Sequence, residues 1–77
     1  MVLLTHIDPT LHMNRWYAVS VQPSLFDACA VVLMWGNRAN DYQQMRMLAA
    51  ETDEAAVALA ARWVARKVKR GYVPVGD

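Results

Sequence analysis

The chain has one cysteine, three glycines and three prolines among its 77 residues. The single Cys29 excludes an intrachain disulfide. With no basic or histidine neighbour in sequence, its thiol reads as a small apolar filler rather than a nucleophile, a usage that suits a cytoplasmic protein. No apolar run approaches the roughly 18 residues of a membrane span. The run Met1 to Leu4 is ended too early by His6, Asp8 and Pro9 to be a signal peptide, so no membrane partner is expected. Charge of one sign is also lacking. The net charge is +1, so attraction to nucleic acid has to be local. There is no glycine-rich phosphate loop, no carboxylate pair, and no nucleophile elbow around Ser20 or Ser24. A non-enzymatic chain without a cofactor is expected. His6, Asp8 and His12 lack a fourth ligand and a standard zinc spacing, which argues against a metal site.

What the chain does have is apolar content, 56% of its residues. That argues against disorder and for one small domain over 1–77, with some apolar surface left for a partner to hide. The dominant stretch is Ala28 to Arg38, A-C-A-V-V-L-M-W-G-N-R. Its apolar part suits a pleated strand, and it gives way at Trp35-Gly36 to Asn37, Arg38, Ala39, Asn40 and Asp41, a composition that favours a turn. A tryptophan at such a strand end serves either as a core plug or as a stacking surface, because it joins large apolar area to one N–H.

The rest of the chain can be read around this strand. Val2, Leu3, Leu4 and Ile7 make a first strand ended by Asp8-Pro9. A loop over Thr10 to Asn14 leads to a second strand, Arg15 to Gln22. There Tyr17, Val19 and Val21 form the bulkier, core-facing side against Trp16, Ala18 and Ser20. Pro23 to Asp27 turns into the third strand, and Tyr42 to Ala49 alternates as a fourth. Thr52 caps a helix from about Asp53 to Arg70, with Asp53 and Glu54 at the positive end of its dipole and Gly71 just past its end. Ala56, Val57, Ala60, Ala61, Trp63, Val64 and Val68 fall on its broad apolar face. Arg62, Arg66, Lys69 and Arg70 lie on the opposite side. Tyr72 to Val75 adds an edge strand or folds back. The expected fold class is α+β, an antiparallel sheet of four or five strands with one long amphipathic helix packed across one face.

Several short motifs stand in a particular order: Asp8-Pro9, Asn14-Arg15-Trp16-Tyr17, Gln22-Pro23-Ser24-Leu25-Phe26, Trp35-Gly36, and Lys67-Val68-Lys69-Arg70-Gly71-Tyr72. Together they resemble a WGR domain, named for a Trp-Gly-Arg motif after a strand. The resemblance spans nearly the whole chain and implies an antiparallel sheet with one helix across it. In poly(ADP-ribose) polymerases such domains bind broken DNA ends, the motif's tryptophan packing against a terminal nucleotide and its arginine making polar contacts. Small bacterial relatives consist of this domain alone. By resemblance, Trp35 takes the stacking role. The third motif position is Asn37 rather than arginine, Arg38 follows one place later, and Arg38-Ala39-Asn40-Asp41 replaces a glycine-rich turn.

The expected function is a binding module for nucleic acid, DNA ends or nicks, through Trp35, Gly36, Asn37, Arg38 and the basic stripe of Arg62, Arg66, Lys69 and Arg70. A charged helix face is more often simply solvated, whereas single-strand or end binding pairs such a stripe with exposed aromatics. The alternative is a protein-interaction module, or a homodimer formed through the sheet face opposite the helix. Its motivation is that the third strand is apolar on both sides, where a one-sided sheet should alternate with polar residues. In that case the fold is kept and the DNA site is lost.

Overall fold

The computed structural model describes residues 1–22 and 29–76. The turn expected over Pro23 to Asp27, with Ala28, lies outside them. The described chain runs β1 (Val2–Asp8), a 3-10 turn (Pro9–Leu11), β2 (Met13–Gln22), β3 (Cys29–Asn37), β4 (Gln43–Ala50), α1 (Asp53–Lys69) and β5 (Val73–Val75). The sheet has five strands in the order β4-β3-β2-β1-β5, and every pairing is antiparallel. Strands β1 to β4 form the expected meander. The Tyr72 to Val75 tail does not fold back; β5 takes the free edge of β1.

One face of the sheet carries the helix. The alternation of β2 and β3 sends Tyr17, Val19, Val31 and Leu33 to that face, where they meet Leu4, Cys29 and Ala56. Leu4, Leu33, Val19 and Val31 are the largest fully buried side chains, each worth roughly 1.5–3 kcal/mol of transfer free energy. Val21 departs from the expected pattern: it is exposed at the end of its strand.

The helix begins as its sequence dictates. The Thr52 hydroxyl accepts a hydrogen bond from the Ala55 amide at 3.0 Å, and Asp53 and Glu54 occupy the first turn. Its buried face is narrower than the apolar arc suggests. Ala56, Leu59, Ala60, Trp63 and Val64 pack on the core, whereas Val57, Ala61 and Val68 are exposed. A helix lying on a sheet buries only one stripe, and the crossing over β2, β3 and β4 selects the stripe that includes Leu59. The helix ends at Lys69, one residue short of the expected Arg70, which is its cap. The Gly71 amide then donates to the Val68 carbonyl and the Tyr72 amide to the Lys67 carbonyl. These are the two bonds of a Schellman motif, closed by Gly71 at φ +103°. The Lys67-to-Tyr72 motif is therefore a helix stop that holds Lys67 beside Tyr72.

Beyond β1 the expected loop is partly ordered. Asp8 accepts hydrogen bonds from the Thr10 amide and hydroxyl and so caps the 3-10 turn, and these bonds hold its carboxyl below the usual value. β2 then starts at Met13, two residues earlier than the alternation suggests.

Candidate functional site

Trp35 does not stand at the end of its strand. β3 continues through Gly36 to Asn37, and Gly36 is there for space rather than for an unusual dihedral. A methyl group on it would collide with the Tyr42 carbonyl oxygen and come within 2.9 Å of the Trp16 indole nitrogen. The chain then turns under two side-chain locks. The Asn37 side-chain oxygen accepts from the Ala39 amide at 2.8 Å, and that of Asn40 accepts from the Tyr42 amide at 2.8 Å. Asparagine side chains thus hold the turn by bonding the backbone two residues on.

Strand alternation places Trp35 on the helix side, opposite Tyr17 across the β2–β3 ladder. The two rings stack with centroids 5.8 Å apart and planes 13° from parallel. Tyr72, delivered by the helix stop, meets Tyr17 edge-on at 6.1 Å, and His6 meets Tyr72 edge-on at 5.2 Å. The result is an aromatic row running from β1 to β3. Burial pushes the Tyr17 hydroxyl above its ordinary value, with Tyr72 adding to the rise.

Over this row lies a groove of about 710 Å³ between the sheet and the C-terminal half of the helix. Trp35, Gly36 and Asn37 line it, together with Tyr17, Tyr42, Trp63 and Tyr72. Its cations are Arg15, Arg46 and Lys67, and among the described residues no carboxylate lines it. Arg15 is the cross-strand neighbour of Asn37 and Arg46 that of Leu33. Lys67 reaches in from the helix, its ammonium 4.4 Å from the centre of the Tyr17 ring and 5.7 Å from that of Tyr72. Burial, followed by repulsion from Arg70 and Arg66, holds Lys67 below the ordinary lysine value. Lys67 thus stands against two aromatic faces with no carboxylate of the described residues lining the groove beside it.

The sequence-expected site residues divide accordingly. Trp35, Gly36 and Asn37 come together in the groove. Arg38, Arg62, Arg66, Lys69 and Arg70 do not line it. Arg66 lies over the Trp63 ring at 5.0 Å, beside the groove, and Arg70 is close enough to perturb Lys67. The Arg38 amide donates to the Asn14 carbonyl at 2.8 Å, which continues the β2–β3 ladder. Arg38 itself lies in the turn just past β3 and is not among the residues that line the groove.

Arg15, Arg46 and Lys67 were absent from the expected set, yet each carries a sequence signal. Arg15 and Arg46 each stand two places from a core-facing residue, Tyr17 and Leu48. Lys67 continues the helical row Ala56, Ala60, Trp63 at the same spacing. His6 packs on Tyr72, and among the described residues no cluster of His, Cys, Asp or Glu could hold a metal ion. Cys29 is buried; burial and the neighbouring Asp53 raise its thiol above the ordinary value, which suppresses the nucleophilic thiolate.

A family model described as WGR domain matches residues 1–77, the whole chain. The chain is also similar to an uncharacterized protein, y4dW, of Sinorhizobium fredii (strain NBRC 101917 / NGR234). The two are 37% identical over 68 residues, which is 88% of this chain and 33% of that protein. The chain therefore spans about a third of that relative's length. No solved structure matches it. Among the described residues no helix is long and apolar enough to cross a membrane.

Proposed function

The chain belongs to the WGR domain family, and from that premise we propose that it is a non-enzymatic binding module that takes nucleic acid, a DNA end or nick, in the groove over Trp35 and Tyr17. The observation that carries the proposal is the lining itself: three cations and several aromatic rings in one groove, with no carboxylate among the described residues that line it. Phosphates are drawn by Arg15, Arg46 and Lys67, and a base or sugar at a strand end packs on the exposed aromatic edges. The charge missing at Asn37 is supplied from across the strand pair by Arg15. Arg66 and Arg70 extend the positive field at the helix end of the groove. Arg38, Arg62 and Lys69 act at longer range, where salt screens them first.

The test is an NMR titration with short blunt and nicked duplexes at low and moderate salt. The indole signals of Trp16, Trp35 and Trp63 are followed, since all three residues border the groove. Shifts confined to the groove and weakening steeply with salt are expected. Unmoved indole and amide signals at millimolar duplex and low salt would sink the proposal.

A further inference from the structure

The two edges of the sheet are treated very differently. One is closed by β5, three residues long with Pro74 at its centre, a short proline-bearing strand of the kind that blocks further pairing. The other is β4, eight residues reading Q-Q-M-R-M-L-A-A, with no proline, lysine or carboxylate. It pairs with β3 over eight consecutive positions without a bulge, and among the described residues nothing pairs with its outer side.

The direction of its free hydrogen bonds follows from the register. The Asn37 amide donates to the Tyr42 carbonyl, and those two residues extend the ladder one step beyond Gly36 and Gln43. In an antiparallel pair, residues of one parity turn both backbone groups to the partner and those of the other parity turn them away. Gln44, Arg46, Leu48 and Ala50 therefore bond to β3. Gln43, Met45, Met47 and Ala49 present their N–H and C=O groups outward. Met45 and Met47 are also more than half exposed, at 61% and 54%. The centre of the same face, at Ala18, Ala30 and Val32, is already buried within the single chain. Ile7, Val73 and Val75 are exposed at the β1–β5 margin of this face, but only at β4 do exposed apolar side chains coincide with an unblocked row of outward backbone groups.

We propose that β4 is an interaction edge whose partner is β4 of a second copy of the chain, the two strands pairing antiparallel about a two-fold axis at Met47. Three self-registers are available near the middle of the strand. Centring on Arg46 sets two guanidinium groups directly opposite, which is unfavourable. Centring on Met45 leaves Leu48 to Ala50 unpaired. Centring on Met47 pairs Met47 with its copy, Met45 with Ala49 and Arg46 with Leu48, using the strand almost end to end. Each outward-facing residue in it then meets an outward-facing partner, so both exchange hydrogen bonds. The two Arg46 side chains become diagonal neighbours, about 7–8 Å apart.

This pairing joins two five-stranded sheets into one of ten with both helices on the same face. It covers about 24 Å of strand, a small interface of the weak, transient kind, so the dimer is expected to form only at high protein concentration. The proposal is independent of nucleic-acid binding and is tested without it.

Amide hydrogen exchange and sedimentation at several concentrations of the whole chain decide the matter. As concentration rises, the mass should climb toward twice that of the chain, and the amides of Met45, Met47 and Ala49 should gain protection. Those of Arg46 and Leu48 should be protected throughout. Met47→Pro removes an N–H that β3 does not use and should hold the mass at that of one chain with the indole spectrum retained. Should that variant not fold, Met47→Lys, which sets two like charges opposite each other, gives the same readout. A monomeric mass at every concentration with freely exchanging Met45, Met47 and Ala49 amides overturns the proposal. So does self-association that neither substitution weakens.

Discussion

The ammonium of Lys67 sits 4.4 Å above the ring of Tyr17, whose ring is in turn stacked on Trp35. This relationship joins the helix stop to the tryptophan that names the family. It depends on a Schellman motif at one end and a cross-strand pair at the other, and neither is close to the other in sequence. It makes Lys67 the most informative position in the groove.

Replacing it by a side chain of similar length without charge, Lys67→Met, should weaken duplex binding and lower the slope of log affinity against log salt by about one. Stability should not fall at neutral pH, because burial already disfavours the charged amine. The sign can be worked out. With the folded value below the unfolded one, the unfolded chain holds more protons between the two, so this residue's contribution to stability rises with pH through a window just below 10.5. Urea unfolding from pH 7 upward should find Lys67→Met at least as stable as the parent, with the difference closing as that window is crossed. Loss of binding together with a large loss of stability at pH 7 would mean that Lys67 is a packing residue and no more.

The groove cations and the outer helix cations should behave differently. Arg15→Ala and Arg46→Ala are expected to weaken binding several-fold each at moderate salt, while Arg62→Ala and Lys69→Ala have effects visible only at low salt. Fluorescence titrations of the four variants at two ionic strengths make the comparison. Equal effects from all four would show that binding is spread over sheet and helix cations alike rather than centred in the groove.

Asn37→Arg should strengthen binding, since position 37 lines the groove next to Arg15. It should also steepen the salt dependence. The substitution removes the acceptor for the Ala39 amide, so a loss of about 0.5–1.5 kcal/mol in stability is expected alongside. Unchanged affinity would show that the Arg38 to Asp41 turn, not the missing charge, limits the site.

Gly36→Ala should destabilise the fold. The added carbon meets the Tyr42 carbonyl and the Trp16 indole nitrogen, with the Gln43 Cα at 3.1 Å. Because two of these three contacts are backbone, the strain has no easy outlet, and a loss of about 1–3 kcal/mol is expected. The midpoint of urea unfolding checks this, and a midpoint equal to the parent's would rule out so tight an approach.

Much of this protein follows from local rules. The alternation of Arg15 to Gln22, the apolar run through Trp35, the Thr52 cap and the Gly71 stop each fix an element through its own backbone chemistry, and their order already implies a meander with one helix. The ordered motifs implied the family, which the match over residues 1–77 bears out. Which stripe of an over-wide apolar helix is buried, that Leu59 goes in while Val57 and Val68 stay out, depends on the crossing of helix and sheet. The same crossing turns Lys67 inward and leaves Arg62 and Lys69 outside the groove. Sequence patterns report period and charge along one element. Only packing between elements determines which charges from β2, β4 and α1 converge, because that convergence rests on contacts between residues tens of positions apart.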